Sequence, residues 1–237
     1  QHLQGSGAKG LRTLYTLHGD EALLQQEAAD AIRTMARAQG YTERTVFVVA
    51  GAHFDWGEVL AAGGSMSLFA DKQIVEIRIP SGKPGKEGAV ALQQIAENAA
   101  QQDGVLTLVV LPRLDKASKS TAWFSALENN GASIQIDPIE RAALPAWIAQ
   151  RLQAQGQKVL SGEAGQQALQ FFADRVEGNL LAAHQEIQKL ALLYPEGELS
   201  FEQIDRAVLN VARYDAFKLS AAVLSGQPIR VQRMLDG

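Results

Sequence analysis

The sequence predicts a parallel α/β domain followed by an all-α domain, and three observations carry that prediction. Apolar runs of strand length alternate with segments of helical period as far as Pro138, the pattern that covers both faces of a parallel sheet with helices. Val105 to Leu111 (VLTLVVL) is apolar throughout, as expected of a strand buried on both faces. After Pro138 every periodic segment has helical spacing and length, and no further strand is read there. A chain of 237 residues is long enough for two cores of ordinary size.

Taken in order, Leu11 to Leu17 is the first strand, and His18-Gly19-Asp20-Glu21 turns it into a helix reaching Gln39. That helix is expected to bury Leu24, Ala28, Ala31 and Met35, with Asp20 and Glu21 capping its start. Thr45 to Ala50 reads as a buried strand. Asp55 then caps a short helix, Trp56 to Ala62, with Glu58 completing a capping box and Gly63-Gly64 ending it. Gln73 to Ile79 alternates Val75, Ile77 and Ile79 on one face against Glu76 and Arg78 on the other. Between helix and strand lies Ser65 to Lys72, which carries Met66, Leu68 and Phe69. Large apolar side chains held between two anchored elements can either cover the end of the sheet or enter a partner's pocket at small ordering cost.

Pro80 to Gly88 reads as a surface loop, Ala89 to Ala100 as a helix burying Leu92, Ile95, Ala96 and Ala99, and Ser120 to Glu128 as a helix carrying Trp123, Phe124 and Leu127. Ser133 to Ile136 is the last strand. The helices that follow are Pro145 to Gln155, Glu163 to Val176, Leu180 to Tyr194 and Phe201 to about Val211, the last started by a Ser200 and Gln203 capping box. Two more, Ala216 to Leu224 and Pro228 to Leu235, are too few to close a core and read as the start of a further domain. The expected divisions are 1–140, 141–212 and 213–237.

Composition excludes several functions. Twenty-two basic against 26 acidic side chains leave a net charge of −4, unlike a module that grips bare DNA alone. There is no cysteine, hence no disulfide, thiolate metal site or thiol nucleophile, and His2, His18, His53 and His184 lack the spacing of a metal pair. His184 reads as a surface histidine. No run reaches the length of a membrane span and no signal peptide is read, so a cytoplasmic protein without membrane partners is expected.

An α/β domain followed by a small helical lid is the layout of AAA+ P-loop ATPases, which predicts where nucleotide chemistry should lie. A phosphate loop needs glycines, a lysine and a Ser or Thr for phosphates and metal. After the first strand the chain offers one glycine, then Asp20 and Glu21, where a triphosphate would meet like charge. Val105 to Leu111 runs into Pro112-Arg113-Leu114, with Asp115 alone and late. No catalytic residue, metal or cofactor is expected, although a nucleotide-binding ATPase with an atypical site is the alternative reading.

Several motifs, in order, carry a resemblance: Leu17 to Glu27 (LHGDEALLQQE), Met66 to Ala70 with Gln73, Thr121 to Phe124 (TAWF), Leu144 to Trp147 (LPAW), Glu177 to Ala182 (EGNLLA), and Leu190 to Leu193 (LALL). Together they resemble the delta subunit of bacterial DNA polymerase III, an arm of the sliding-clamp loader whose AAA+ module has lost its nucleotide site. The resemblance implies that Met66, Ser67, Leu68 and Phe69 bind the clamp (the beta subunit) as an apolar wedge that opens or holds open the ring. It implies that residues from 213 onward begin a helical collar. The implied partners are the ATPase loader subunits, the delta-prime subunit and primed DNA, with Lys116 and Lys119 as possible DNA contacts. The chain would then be a component of a nucleotidyltransferase holoenzyme without a catalytic site of its own, and monomeric in isolation.

Overall fold

The computed structural model describes residues 11–51, 53–64, 72–102, 104–176 and 178–208. The chain divides between Pro138 and Ile139 into two compact units. In the first, five strands pair in parallel: β1 (Leu14–Gly19), β2 (Glu43–Val48), β3 (Gln73–Arg78), β4 (Val105–Leu111) and β5 (Ala132–Ile136), in the order β2-β3-β4-β1-β5. The three middle strands are buried on both faces, as the unbroken apolar run of β4 requires. Helix α1 (Ala22–Ala38) covers one face through Ala29, Ile32 and Ala36, packed with Tyr15, Leu17, Ile74, Leu106 and Leu108. Helices α2 (Trp56–Gly64), α3 (Gly85–Asn98) and α5 (Ala122–Asn130) cover the other, with Val75, Ile77 and Val109 against Trp56, Leu92, Ile95 and Phe124. Each fully buried Leu, Ile or Phe contributes roughly 1.5–3 kcal/mol relative to leaving it in water. A four-residue helix, α4 (Lys116–Lys119), precedes α5.

Four expectations change here. The inward face of α1 is Leu23, Ala29, Ile32, Arg33 and Ala36, with Leu24 and Ala28 at its flank, Met35 half-buried and Ala31 exposed. The face is rotated because Arg33, which an apolar count leaves outside, is drawn in by an acid on β3. Strand β2 is an edge strand, so its apolar residues are not all covered: Val46 and Val48 are 38% and 49% exposed. The segment expected as a loop to Gly88 is already helical from Gly85. Gly88 is a packing residue inside the helix and not the end of a loop, since a Cβ there would overlap the Trp56 indole. Helix α2, finally, carries through Gly63 and Gly64 rather than stopping before them.

The second unit contains α6 (Leu144–Ala154), α7 (Glu163–Val176), α8 (Leu180–Leu193) and α9 (Phe201–Val208). Helix α7 packs on each of the other three, burying Phe172, Ala173 and Val176. The expected capping box starts α9: Ser200 N–H donates to Gln203 Oε1 at 2.7 Å, and Gln203 N–H donates to Ser200 Oγ at 3.3 Å. Two short parallel strands, β6 (Gln157–Val159) and β7 (Gly197–Leu199), contradict the reading that no strand follows Pro138. Three residues are too few to show a period of two. The Gln157 side chain secures them, its amide donating to the carbonyls of Leu190 and Tyr194 at the end of α8. His184 is half-buried, with Nδ1 enclosed, instead of lying on the surface. The two expected helices after residue 213 lie outside the described residues.

Candidate functional site

At the N-terminal end of β3, helix α2 and the strand bracket residues 65–71. Asp55 starts the helix by accepting from Gly57 N–H at 2.8 Å. Trp56 and Val59 sink into the core beneath it, Trp56 meeting Phe54 edge-on at 5.2 Å. On the strand side, the Gln73 side-chain amide donates to the Ala62 carbonyl at 2.7 Å. That bond joins the last turn of α2 directly to the first residue of β3, so both ends of the intervening segment are fixed to the core. Lys72 adds a second tie, donating to the Gln39 carbonyl at 3.0 Å with its ammonium 5.4 Å from the centre of the Tyr41 ring. The sequence-predicted wedge residues Met66, Ser67, Leu68 and Phe69 lie outside the described residues. What the structure places is their frame.

Gln73 stood in the sequence only as part of a motif. Its role as a staple is signalled by an uncharged polar residue opening an otherwise buried strand, where an amide must find a partner. Glu76 was missed as well. It is 1% exposed and holds three guanidiniums: Arg33 at 2.9 Å, Arg44 at 3.0 Å and Arg78 at 2.7 Å. The signal was a single acid inside the apolar run QIVEIRI. Burial pushes its carboxyl up, but hydrogen bonds from Arg78 and Arg33, with their charge, more than offset this and hold it below the usual carboxylate range.

The opposite, C-terminal ends of β1, β3 and β4 border a cleft of about 330 Å3, where a doubly wound sheet ordinarily binds its ligand. The side chains there do not fit a magnesium-bound triphosphate. Gly19 lies so close to β5 that a Cβ would collide with the Ile136 carbonyl, so its place is set by strand packing. Glu21 caps α1 by accepting from Leu23 N–H, and Asp20 accepts from Arg113 N–H at 3.1 Å, putting two carboxylates where phosphates would sit. Gln25 closes the floor by donating to the Leu111 carbonyl at 2.7 Å. Among the described residues no three His, Asp or Glu side chains converge as a metal site.

Beside this cleft, His18 is buried with its ring edge-on to Phe124 at 5.3 Å. Burial and the Lys119 charge lower its pKa, partly opposed by Asp137. Lys119 donates to Gln135 Oε1 at 2.8 Å, whereas Lys116 is exposed, so the two possible DNA-contact residues have different environments. Asp115 caps the short α4, and the Ser118 N–H donating to its carboxylate at 2.7 Å holds it below its usual pKa. No helix among the described residues is long and apolar enough to cross a membrane.

A parallel α/β unit followed by a helical one, with the sheet order seen here, is a fold of the AAA+ type. Solved structures share it: a DNA clamp loader delta protein of Bacillus subtilis superposes with a TM-score of 0.65 at 17% identity, covering 99% of this chain and 69% of that one. A Thermotoga maritima RuvB variant follows at a TM-score of 0.55 and 14% identity, covering 96% and 73%. At the level of sequence, the family profile described as DNA polymerase III, delta subunit, matches residues 15–137. DNA polymerase III subunit delta of Escherichia coli K12 is 33% identical over 236 residues, covering 100% of this chain and 66% of that protein. The same subunit of Haemophilus influenzae is 30% identical over 238 residues, covering 97% and 65%. The chain belongs to the DNA polymerase III delta subunit family, and it spans about two thirds of the length of these relatives.

Proposed function

We propose that this chain works as the clamp-binding arm of a bacterial DNA polymerase III clamp loader, in the cytoplasm. Met66, Ser67, Leu68 and Phe69 engage an apolar pocket on the ring-shaped sliding clamp, the beta subunit, and favour the open ring. The observation that carries this reading is the Gln73 to Ala62 bond, which ties both ends of residues 65–71 to the core. A segment fixed at both ends loses less freedom on binding than a free loop, so more of its contact energy appears as affinity. Opening then needs only that the wedge bind the sprung ring better than the closed one, because the difference in affinity sets the shift.

ATP chemistry belongs to neighbouring ATPase subunits and not to this chain. Those subunits, a delta-prime subunit and primed DNA complete the assembly, in which Lys116 and Lys119 are the candidate DNA contacts. The organisation is 1–140 as the AAA+-like domain, 141–212 as the lid and 213–237 as the start of the collar. Family membership supports the assembly, and the frame around residues 65–71 supports the wedge.

The test is a titration of the chain with purified sliding clamp, repeated with Leu68→Ala and Phe69→Ala together. Two apolar anchors at an interface centre are worth roughly 2–4 kcal/mol, so affinity should fall by at least about thirtyfold. Equal affinity in the double variant would refute the wedge.

A further inference from the structure

The edge of the sheet at β2 has features that clamp binding does not use. Val49 N–H donates to the Arg78 carbonyl at 2.8 Å, which fixes the parity of the strand: Thr45, Phe47 and Val49 direct their backbone groups to β3. Arg44, Val46 and Val48 therefore direct theirs outward, where no strand pairs with them among the described residues. The side chains of these three residues share one face. Val46 and Val48 are partly exposed there, because α1 reaches across the middle strands and leaves the edge uncovered.

The charge beside them is unbalanced. Three guanidiniums, Arg33, Arg44 and Arg78, share two carboxylates, Glu76 and Asp30, an excess of one positive charge. Arg33 is buried, so the excess reaches solvent at Arg44 and Arg78, whose side chains are 33% and 44% exposed. Arg44 engages Glu76 through Nε, and its terminal nitrogens have no further bond among the described residues. Glu76 holds both side chains in place, so little freedom remains to be lost when they meet an acid. Glu43, at the start of β2, is the acid on the strand itself and confines the favourable stretch to residues 44–48.

We propose that the outer edge of β2 is a binding site for an extended segment of a partner protein that carries acidic and apolar residues at every second position, on one face, and adds to the sheet as a sixth strand. Backbone pairing would run through Arg44, Val46 and Val48, the two valines taking the apolar residues and Arg44 with Arg78 the acidic ones. A second copy of this chain does not suit the edge, because antiparallel pairing of β2 with itself about Val46 would bring Arg44 of each copy beside Val48 and Arg78 of the other, like charge toward like.

The experiment uses the whole chain and a blocked heptapeptide, Glu-Thr-Val-Thr-Val-Thr-Glu, whose glutamates and valines share one face, followed by residue-resolved amide exchange. Val46 and Val48 amides should slow on peptide addition, whereas Thr45 and Phe47 are bonded to β3 in either state. The same heptapeptide with lysine in place of both glutamates should not slow them. Val46→Glu, at an exposed position that spares the core, should weaken binding about tenfold by setting like charge against the peptide's glutamates. Arg44→Gln should weaken it about fivefold, with unchanged thermal unfolding of both variants showing that the fold is intact. The proposal is overturned by no slowing at saturating peptide, by equal slowing with the lysine peptide, by unchanged affinity in the Val46→Glu variant, or by displacement with an oligothymidylate, which would mark the arginines as a nucleic-acid site.

Discussion

The two ends of the sheet differ in what they do with their own backbone. At the C-terminal ends of β1, β3 and β4 the chain lines the crevice with groups that oppose a phosphate: Gly19 is packed against Ile136, Gln25 bonds the Leu111 carbonyl, and Asp20 and Glu21 supply negative charge. At the N-terminal end of β3 it does the reverse, fixing two points around residues 65–71 with Gln73. A fold can thus keep its architecture while its two ends are built for different uses, since fold and site are separable. Strand β3 is common to both ends, with Gln73 at one, Arg78 at the other and Glu76 between them.

The largest effect is expected where the two ends meet. Glu76→Ala leaves Arg33 buried without its carboxylate, and an unpaired buried charge costs about 3–5 kcal/mol. Urea unfolding should show that loss, and clamp binding should weaken with it because Gln73 sits on the same strand. A loss below about 1 kcal/mol would mean that Arg33 swings out to water and that the cluster does not organise β3.

Gly19→Ala acts on the C-terminal end alone. The added Cβ meets the Ile136 carbonyl and must push β5 outward, at a cost of about 1–3 kcal/mol. Clamp affinity of the folded variant should match the parent. If it fell as steeply as stability, the two ends would be coupled and the comparison would fail.

Much of this was legible in the sequence. The all-apolar β4, the start and end of α7 and the Ser200 and Gln203 box rest on local chemistry and appear as read. What was not legible depends on partners distant in the chain. Arg33 is inward only because Glu76 awaits it 43 positions on, which rotates α1. Gly88 looks like the end of a loop until Trp56 is set against it. Val46 and Val48 look like core residues until β2 proves to be an edge strand. At the candidate site, a motif including Gln73 was visible, whereas its bond to Ala62 needed the third dimension.

Gln73→Ala isolates the N-terminal end. It removes one buried hydrogen bond and leaves the Ala62 carbonyl to find water, for roughly 1 kcal/mol of stability. The same freedom released at the wedge should raise the clamp Kd about fivefold. Titration and urea unfolding together decide this: an affinity loss without Gln73 marks the staple as preorganising, and a stability loss alone marks it as ordinary packing.

The smallest effect is a difference in the sign of pH dependence. Burial pushes the Glu21 carboxyl up and outweighs the Leu23 N–H bond, whereas Glu76 is held down despite its burial. A carboxyl raised in the fold takes up protons before the unfolded chain does, so Glu21 adds stability as pH falls toward the ordinary value of about 4.3. A depressed carboxyl does the opposite: the contribution of Glu76 is complete above that value and is lost as pH falls through its folded pKa. His18, lowered by burial and Lys119, loses stability as pH falls below about 6.5. Urea midpoints from pH 7 to 3 should therefore decline at first through His18, flatten while Glu21 takes up its proton, and drop steeply once Glu76 titrates. Glu21→Gln should remove the flattening and leave the final drop in place, because the crevice and the buried cluster titrate as separate sites. Superimposable curves for the variant and the parent would show that Glu21 is no more strained in the fold than in the open chain.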